Sequence, residues 1–186
     1  MANQKSTTRG TNATGKGMGA NPPGRMAPLG DLANFEVAKN IPDPRGWDVQ
    51  AADGNKVGKV HELIVDTGAL STRYIDVSLD KKSLRLDKDR DVLIPIGDAR
   101  LDSADDKVVI NKLTATQLAD LPEFRHVEIT REYEVSVLPS FGASASTALG
   151  EGIDFYSDLH FDDKKFFAPR TIVGDTTITE TGGLAV

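Results

Sequence analysis

Short runs in which apolar and polar residues alternate fill the middle of the chain, between residues 41 and 125. Successive side chains of a β-strand point to opposite faces of the sheet, so a period of two predicts a strand with one buried face. In the segment 74–79 one face carries Ile75, Val77 and Leu79, and the other carries Tyr74, Asp76 and Ser78. We expect the first set in a core and the second set facing solvent or a partner.

Turn residues separate the predicted strands. Asp53-Gly54 can supply the positive φ angles of a tight hairpin turn between a strand at 47–49 and a second one at 57–65. The polar stretch 80–91 is predicted to be a loop, and Pro95 indicates an edge strand or a bulge. The remaining predicted strands cover residues 74–79, 92–96 and 107–110. Five short strands that close on one another leave no open edge, so we expect an all-β fold built as a small β-barrel.

A short helix is predicted at the end of this domain. Thr114 and Gln117 have the spacing of a capping box, in which each side chain accepts a hydrogen bond from a backbone N–H near the helix start. Pro122 then ends the helix. The following segment, 127–135, fits a strand and a short helix equally well, and its structure stays open at this point.

Composition divides the chain into three regions. Residues 1–30 contain six glycines and three prolines but few aliphatic residues, too little apolar surface to offset the entropy of an ordered chain. We expect a low-complexity N-terminal arm at 1–40, the barrel domain at 41–125, and an acidic C-terminal extension at 126–186. The arm and the extension are predicted to be extended tails flanking the barrel.

Several classes of protein are disfavoured by composition. The chain has no cysteine, which excludes disulfides and thiolate metal sites. Its longest apolar runs, such as 63–65, are far below the roughly 20 residues of a membrane-spanning helix, and the N-terminus lacks the apolar core of a secretory signal. The five Lys and Arg residues of the arm are too sparse for a nucleic-acid surface. We therefore expect a cytoplasmic protein that binds no nucleic acid.

The sequence shows no recognised catalytic or metal motif. Asp102, Asp105 and Asp106 lack the spacing and the bidentate Glu of an EF-hand, and the glycines at 15–19 lack the spacing of a phosphate loop. No nucleophile elbow brings a Ser, a His and an Asp together. We expect neither an enzyme nor a metal site. The aromatic residues of the acidic extension are too apolar for a solvated tail, so we expect them to dock on a partner or on the barrel.

The motifs of the middle region resemble those of the PRC-barrel family, in the same order. They are Pro42-Asp43-Pro44-Arg45-Gly46-Trp47-Asp48-Val49, Val57-Gly58-Lys59-Val60, Leu63-Ile64-Val65-Asp66, Arg73-Tyr74-Ile75-Asp76-Val77, Leu93-Ile94-Pro95-Ile96-Gly97, Val108-Val109-Ile110 and the helix at 113–122. Within the family, the segments 43–46 and 129–136 most resemble the cytoplasmic domain of photosynthetic reaction-centre H subunits.

The resemblance implies a non-catalytic subunit that caps the cytoplasmic side of a bacterial reaction centre and supports proton delivery at the quinone site. Its partners would be the core membrane subunits, which hold the bacteriochlorophyll and the quinones, and a separate transmembrane anchor chain. The chain itself would bind no cofactor and would lie peripherally on the inner photosynthetic membrane. The alternative is a free-standing soluble PRC-barrel adaptor in RNA processing, ribosome maturation or the stress response.

The resemblance also suggests candidate residues. Asp76 matches a family carboxylate near the secondary quinone, so it is a candidate proton relay. His61 is a second candidate because its side chain titrates near neutral pH. The candidates for contact with the partner are Arg73, Tyr74, Phe155, Tyr156 and Phe166.

Overall fold

The computed structural model describes residues 26–32, 37, 41–143 and 152–167, with the side chains of 152–154 left out. All structural statements below refer to these ranges. The strands are β1 (Met26–Pro28), β2 (Asp48–Gln50), β3 (Lys56–Asp66), β4 (Ser71–Leu79), β5 (Arg90–Pro95), β6 (Ala99–Asp102) and β7 (Lys107–Ile110). The α-helices are α1 (Lys81–Leu84), α2 (Ala115–Ala119), α3 (Arg131–Val137) and α4 (Asp163–Phe167). Short 3₁₀ turns cover Leu29–Asp31, Ile96–Asp98, Leu138–Phe141, Gly152–Ser157 and Leu159–Phe161.

The described strands form one sheet in the order β5-β4-β3-β2-β7-β6, and β1 adds to β3 beside β2. The β2–β7 pair is parallel, and all other pairs are antiparallel. The prediction of a mostly β domain is confirmed. The prediction of a closed barrel is wrong for the described part of the chain, because β5 and β6 end the path and do not pair with each other.

Local turn signals predicted several elements correctly. Gly54 has a φ of +82° in the turn between β2 and β3, and the Asn55 N–H donates to the Asp53 carboxylate at 3.2 Å. Pro95 ends β5, which lies at an edge of the sheet. The polar stretch 80–91 is not only a loop, because it contains α1, whose N-cap residue Asp80 accepts a side-chain hydrogen bond from the Lys82 N–H. Strand β6 was not predicted at all.

The capping box of the predicted helix is present. The Thr114 N–H donates to Gln117 Oε1 at 2.9 Å, and the Gln117 N–H donates to Thr114 Oγ1 at 3.4 Å. The segment that the pattern left open contains α3, capped by the Thr130 side chain. It is helical because Glu134 and Val137, which lie three residues apart and therefore on one helix face, are both buried.

The described part of the C-terminal extension is not an extended tail. Helix α3 and residues 155–161 cover the outer face of β3, β4 and β5 and form a second cluster of buried residues there, the outer core. Its members are Ile64, Tyr74, Leu93, Phe124, Leu138, Phe155 and Phe161. Contact is tight elsewhere too, since a Cβ at Gly97 would lie 2.0 Å from the Leu159 carbonyl oxygen. The acidic extension thus contributes to the hydrophobic core.

This packing corrects the prediction for the outer face of β4. The inner face behaves as expected, because Ile75, Val77 and Leu79 are buried in the larger inner core. On the outer face, however, Tyr74 and Asp76 are buried as well. At the other end of the chain, β1 pairs with the second half of β3, so the predicted N-terminal arm contributes a strand. Residues 1–25 and 168–186 lie outside the described residues.

No helix within these ranges combines the length and the apolar character needed to cross a membrane.

Candidate functional site

Asp76 lies in the middle of β4, where that strand is flanked on both sides. It is the register partner of Glu62 in β3 and of Leu93 in β5. Only 1% of its surface is exposed. Asp76 therefore lies on a strand that is paired on both sides, and its side chain points to the outer face of the sheet.

A β-bulge brings His61 to Asp76. The register between β3 and β4 shifts between Val60 and Glu62, so His61 is the extra residue of β3. Bulges redirect side chains and are frequent beside functional sites. His61 Nδ1 lies 2.9 Å from Asp76 Oδ2, while about half of the imidazole side chain remains exposed. The pair therefore joins a buried acid to a group in contact with water.

His126 approaches the same carboxylate from the loop after α2. The Phe124 N–H donates to the Asp91 carbonyl oxygen at 2.7 Å and attaches this loop to β5. His126 Nδ1 lies 3.5 Å from Asp76 Oδ2, and its Nε2 lies 2.7 Å from Asp91 Oδ2. The Ser78 hydroxyl donates to the other oxygen of Asp91. His126 has a φ of +54°, an uncommon value for a residue with a side chain.

The three groups line a cleft of about 430 Å³. Apolar side chains from β1, β3 and the loop 124–129 line part of it, and Asp31, Glu62 and Glu128 line it as well. The two imidazole rings are 5.2 Å apart and nearly perpendicular. We call His61, Asp76 and His126 the cleft triad.

Burial controls the electrostatics of the cleft triad. It raises the pKa of Asp76 above its ordinary value, an effect that the His61 hydrogen bond partly offsets and the nearby Asp91 charge reinforces. The pKa of His61 is also raised, because its ring is hydrogen-bonded to the Asp76 carboxylate. Both shifts favour a proton on the pair. Among the described residues, Asp76 Oδ1 has no hydrogen-bond partner.

Asp76 and His61, the two predicted relay residues, therefore lie in direct contact. The five residues predicted to contact a partner make contacts inside the chain instead. Tyr74, Phe155 and Phe166 are buried. Arg73 donates to the Tyr156 carbonyl oxygen at 3.4 Å and lies 5.0 Å from the centre of the Tyr156 ring. Tyr74, Phe155 and Phe166 therefore do not form an outer surface in this conformation, while Arg73 and Tyr156 remain partly exposed.

A second buried network occupies the outer core. Tyr74 and Tyr156 both donate their hydroxyls to Glu134 Oε1, at 2.8 and 2.6 Å. Arg131 forms an ion pair with Glu134 Oε2 at 3.1 Å. Burial raises the pKa of Glu134, and these hydrogen bonds and the Arg131 charge partly offset the shift. The network attaches α3 and the residues after it to β4.

A second His–Asp pair lies away from the cleft. His160 Nδ1 is 2.5 Å from Asp98 Oδ2, and Lys112 Nζ is 2.8 Å from Asp98 Oδ1. Both carboxylate oxygens of Asp98 are therefore in use, and His160 and Asp98 are buried. This pair has the contacts of a structural joint between the sheet and the C-terminal region.

Sequence reasoning missed His126, Asp91 and Glu134. His126 and Asp91 lie 35 residues apart in polar segments, with no spacing that predicts contact. Glu134 belongs to the segment left open between strand and helix. Its helical spacing to Val137 was the available signal, but one buried position on a short helix is weak evidence.

A comparison with protein families identifies the central part of the chain. Residues 36–117 match the model of the PRC-barrel domain. The match covers β2 to β7 and the first half of α2, and it includes His61, Asp76 and Asp91. His126 and the Glu134 network lie after it. The resemblance of the sequence motifs to the PRC-barrel family is thus confirmed for residues 36–117.

Proposed function

We propose that this chain is a non-catalytic subunit of the reaction-centre H type. It caps the cytoplasmic side of a bacterial photosynthetic reaction centre, stabilises the complex and supports proton delivery to the quinone site. The observation that carries the proposal is the contact of His61 and His126 with the buried Asp76, the residue that the motif alignment equates with the family carboxylate near the secondary quinone.

The arrangement suits proton transfer toward a partner. His61 is half exposed and takes up a proton from water, and Asp76 Oδ2 is in hydrogen-bond contact with it. A hydrogen-bonded pair of this kind passes a proton without a large movement of either side chain. His126, also half exposed, gives the same carboxylate a second contact with water. Among the described residues, the buried Oδ1 of Asp76 has no hydrogen-bond partner, so it is free to carry the proton onward.

The cleft side is the docking surface in this proposal. Val127 lines the cleft and is 67% exposed, so it offers an apolar contact beside a polar cluster. The part of the outer face of β4 around Tyr74 is already covered by the chain's own residues. In this proposal it stabilises the docking surface and does not contact the partner. The core membrane subunits carry the bacteriochlorophyll and quinones, and a separate chain supplies the transmembrane anchor. The protein is peripheral, on the cytoplasmic side of the inner membrane.

Pull-down from the membranes of the phototrophic host tests docking. The tagged wild-type chain is expected to recover bacteriochlorophyll, measured by the absorption spectrum of the eluate. Val127→Asp introduces a charge on the docking surface and should remove most of the pigment. Leu159→Asp is the matched control, because Leu159 is 75% exposed outside the cleft, and it should leave recovery unchanged. Equal recovery with the Val127 variant, or none with the wild type, contradicts the proposal.

Proton delivery has a separate test. In complexes that contain Asp76→Asn, flash-induced proton uptake measured with a pH-sensitive dye should slow by roughly 100-fold or more, the contribution of a single acid–base group. Uptake at the wild-type rate would remove Asp76 from the path while leaving docking intact.

The second candidate function is a free-standing PRC-barrel adaptor in RNA processing, ribosome maturation or the stress response. The burial of three predicted contact residues, Tyr74, Phe155 and Phe166, within the chain favours it, because these side chains then need no partner to cover them. Sucrose-gradient sedimentation of a lysate separates the two candidates. A membrane-bound fraction supports the reaction-centre subunit, and a ribosomal or free monomeric fraction supports the adaptor.

A further inference from the structure

We infer that the cleft triad is a binding site for one divalent transition metal ion, with Zn²⁺ the best match. His61, Asp76 and His126 each offer one donor atom, and these atoms lie within 4.8 Å of one another. The inference concerns the same side chains as the proposed function but does not depend on docking, since it is tested on the isolated chain.

The distances between the donor atoms fit a tetrahedral ion. Bonds of about 2.0–2.1 Å to nitrogen and oxygen place neighbouring ligand atoms about 3.3 Å apart in a tetrahedral zinc site. Asp76 Oδ2 lies 2.9 Å from His61 Nδ1 and 3.5 Å from His126 Nδ1. The third separation, between the two histidine donor atoms, is at most 4.8 Å.

Asp76 supplies the independent observation. Its side chain is 1% exposed and lines the cleft, and its Oδ1 has no hydrogen-bond partner among the described residues. A buried carboxylate with an unsatisfied oxygen is costly. A cation bound in the cleft would neutralise this charge.

Asp91 orients His126 as a metal ligand. Metal-binding histidines commonly donate their second ring N–H to a carboxylate, which fixes the tautomer and the ring orientation. His126 Nε2 lies 2.7 Å from Asp91 Oδ2, and in the tautomer that donates from Nε2 to this carboxylate the Nδ1 lone pair faces the triad. With the ring neutral, a lone pair and a carboxylate oxygen then face each other at 3.5 Å, an arrangement that a cation between them stabilises.

The donor set selects the class of ion. Imidazole nitrogen suits zinc and its neighbours, whereas Ca²⁺ and Mg²⁺ take oxygen ligands. Three protein donors leave a fourth position facing the cleft, as in zinc sites that keep a water or an exchangeable ligand. Asp31, Glu62 and Glu128 also line the cleft and add negative charge that attracts a cation.

Calorimetry tests the site on the untagged full-length chain after removal of metals with EDTA. Titration with ZnCl₂ should saturate at one ion per chain, and CaCl₂ should give no comparable binding. His61→Ala, His126→Ala and Asp76→Asn should each weaken Zn²⁺ binding by on the order of 100-fold. Asp91→Asn should weaken it by roughly 10-fold at unchanged stoichiometry.

His160→Gln is the matched control, because His160 also pairs with an aspartate but lies outside the triad. Its Zn²⁺ affinity should equal that of the wild type. Circular dichroism confirms the fold of each variant. Unchanged affinity in the His61→Ala/His126→Ala double variant, no saturable Zn²⁺ binding by the wild type, or equal binding of Ca²⁺ would overturn the inference.

A second measurement needs no variant. The chain has three histidines and no cysteine, so long-range ¹H–¹⁵N spectra resolve each imidazole nitrogen. Zn²⁺ should shift Nδ1 of His61 and Nδ1 of His126 and leave both nitrogens of His160 in place. Shifts confined to His160, or to Nε2 of the two triad histidines, would contradict the site. Reaction-centre docking affects neither experiment, so a failure here is distinguishable from a failure of the proposed function.

Discussion

Glu134 and Asp76 are both buried carboxylates on the outer side of β4, but they differ in how many of their oxygens are occupied. Glu134 accepts hydrogen bonds from Tyr74 and Tyr156 on one oxygen and pairs with Arg131 on the other. Asp76 presents one oxygen to two half-exposed histidines and leaves the other without a partner among the described residues. Glu134 lies in a sealed network, and Asp76 lies beside an open cleft.

The comparison shows that a raised pKa alone does not identify a functional group. Burial raises the pKa of both carboxyls, yet the fully satisfied one has the contacts of a structural joint. What separates Asp76 is access, because its two histidine partners are half exposed and reach water. We call the Glu134 network the sealed end of the outer face of β4 and the cleft triad its open end. Variants of the two ends should therefore act differently on stability and on binding.

Removal of an aromatic ring at the sealed end should have the largest effect. Phe161 is buried and its ring packs 5.5 Å from that of Tyr74. Phe161→Ala leaves a cavity in the outer core and should lower the free energy of unfolding by about 4 kcal/mol, measured by urea denaturation. Leu159→Ala, at an exposed position two residues away, should change it by less than about 0.5 kcal/mol. Equal effects would show that residues 155–161 do not pack on the sheet in solution.

Removal of the sealed carboxylate should come next. Glu134→Ala deprives the Tyr74 and Tyr156 hydroxyls of their acceptor and Arg131 of its ion-pair partner, and should cost about 3 kcal/mol in urea denaturation. Glu134→Gln keeps an oxygen for both tyrosines and should cost about 1 kcal/mol. If the alanine variant is as stable as the glutamine variant, the network does not hold α3 to β4.

The pH dependence of stability should show the raised pKa of Glu134. The folded state binds this proton more tightly than the unfolded state does, so stability falls as the pH rises from the ordinary value of 4.5 through the raised folded value. The loss for one group is at most about 1.4 kcal/mol per pH unit. Urea denaturation of wild type and Glu134→Gln across this window should show the difference in their stabilities changing in favour of the glutamine variant as the pH rises. A constant difference would mean that the pKa is not raised.

The open end should respond least in stability. Asp76→Asn removes a half-paired buried charge while keeping the shape of the side chain, so its free energy of unfolding should lie within about 1 kcal/mol of the wild type. The same variant should lose Zn²⁺ affinity, as described above. A loss of stability as large as that of Glu134→Ala would mean that Asp76 is a structural carboxylate like Glu134, and the contrast between the two ends would fail.

Local patterns predicted the elements that depend on neighbouring residues. Two examples are the turn at Asp53-Gly54 and the capping box at Thr114 and Gln117. Each forms from groups within four residues of one another, so the local sequence is enough to predict it. Alternation along β4 correctly assigned its inner face. Asp76 and His61 were selected as candidates from the family motif and from side-chain chemistry, and the bulge in β3 explains why they meet.

The remaining features could not be predicted because they join distant segments. Alternation shows that the outer face of β4 is polar, but it does not show that Phe161, 87 positions after Tyr74, covers it. His126 carries no pattern of its own and becomes part of the triad only because the Phe124 N–H attaches its loop to β5.

Strand identity, turn and cap are properties of short stretches of residues, since backbone hydrogen bonds and side-chain periodicity act over a few positions. Other features depend instead on where the loops place segments that are far apart in the chain. These features are the absence of pairing between β5 and β6, the outer core and the cleft triad. Hydrophobic burial is non-directional. The local sequence therefore predicts that Phe155 and Phe166 are buried, but it does not predict which surface they pack against. The folded chain provides that surface itself.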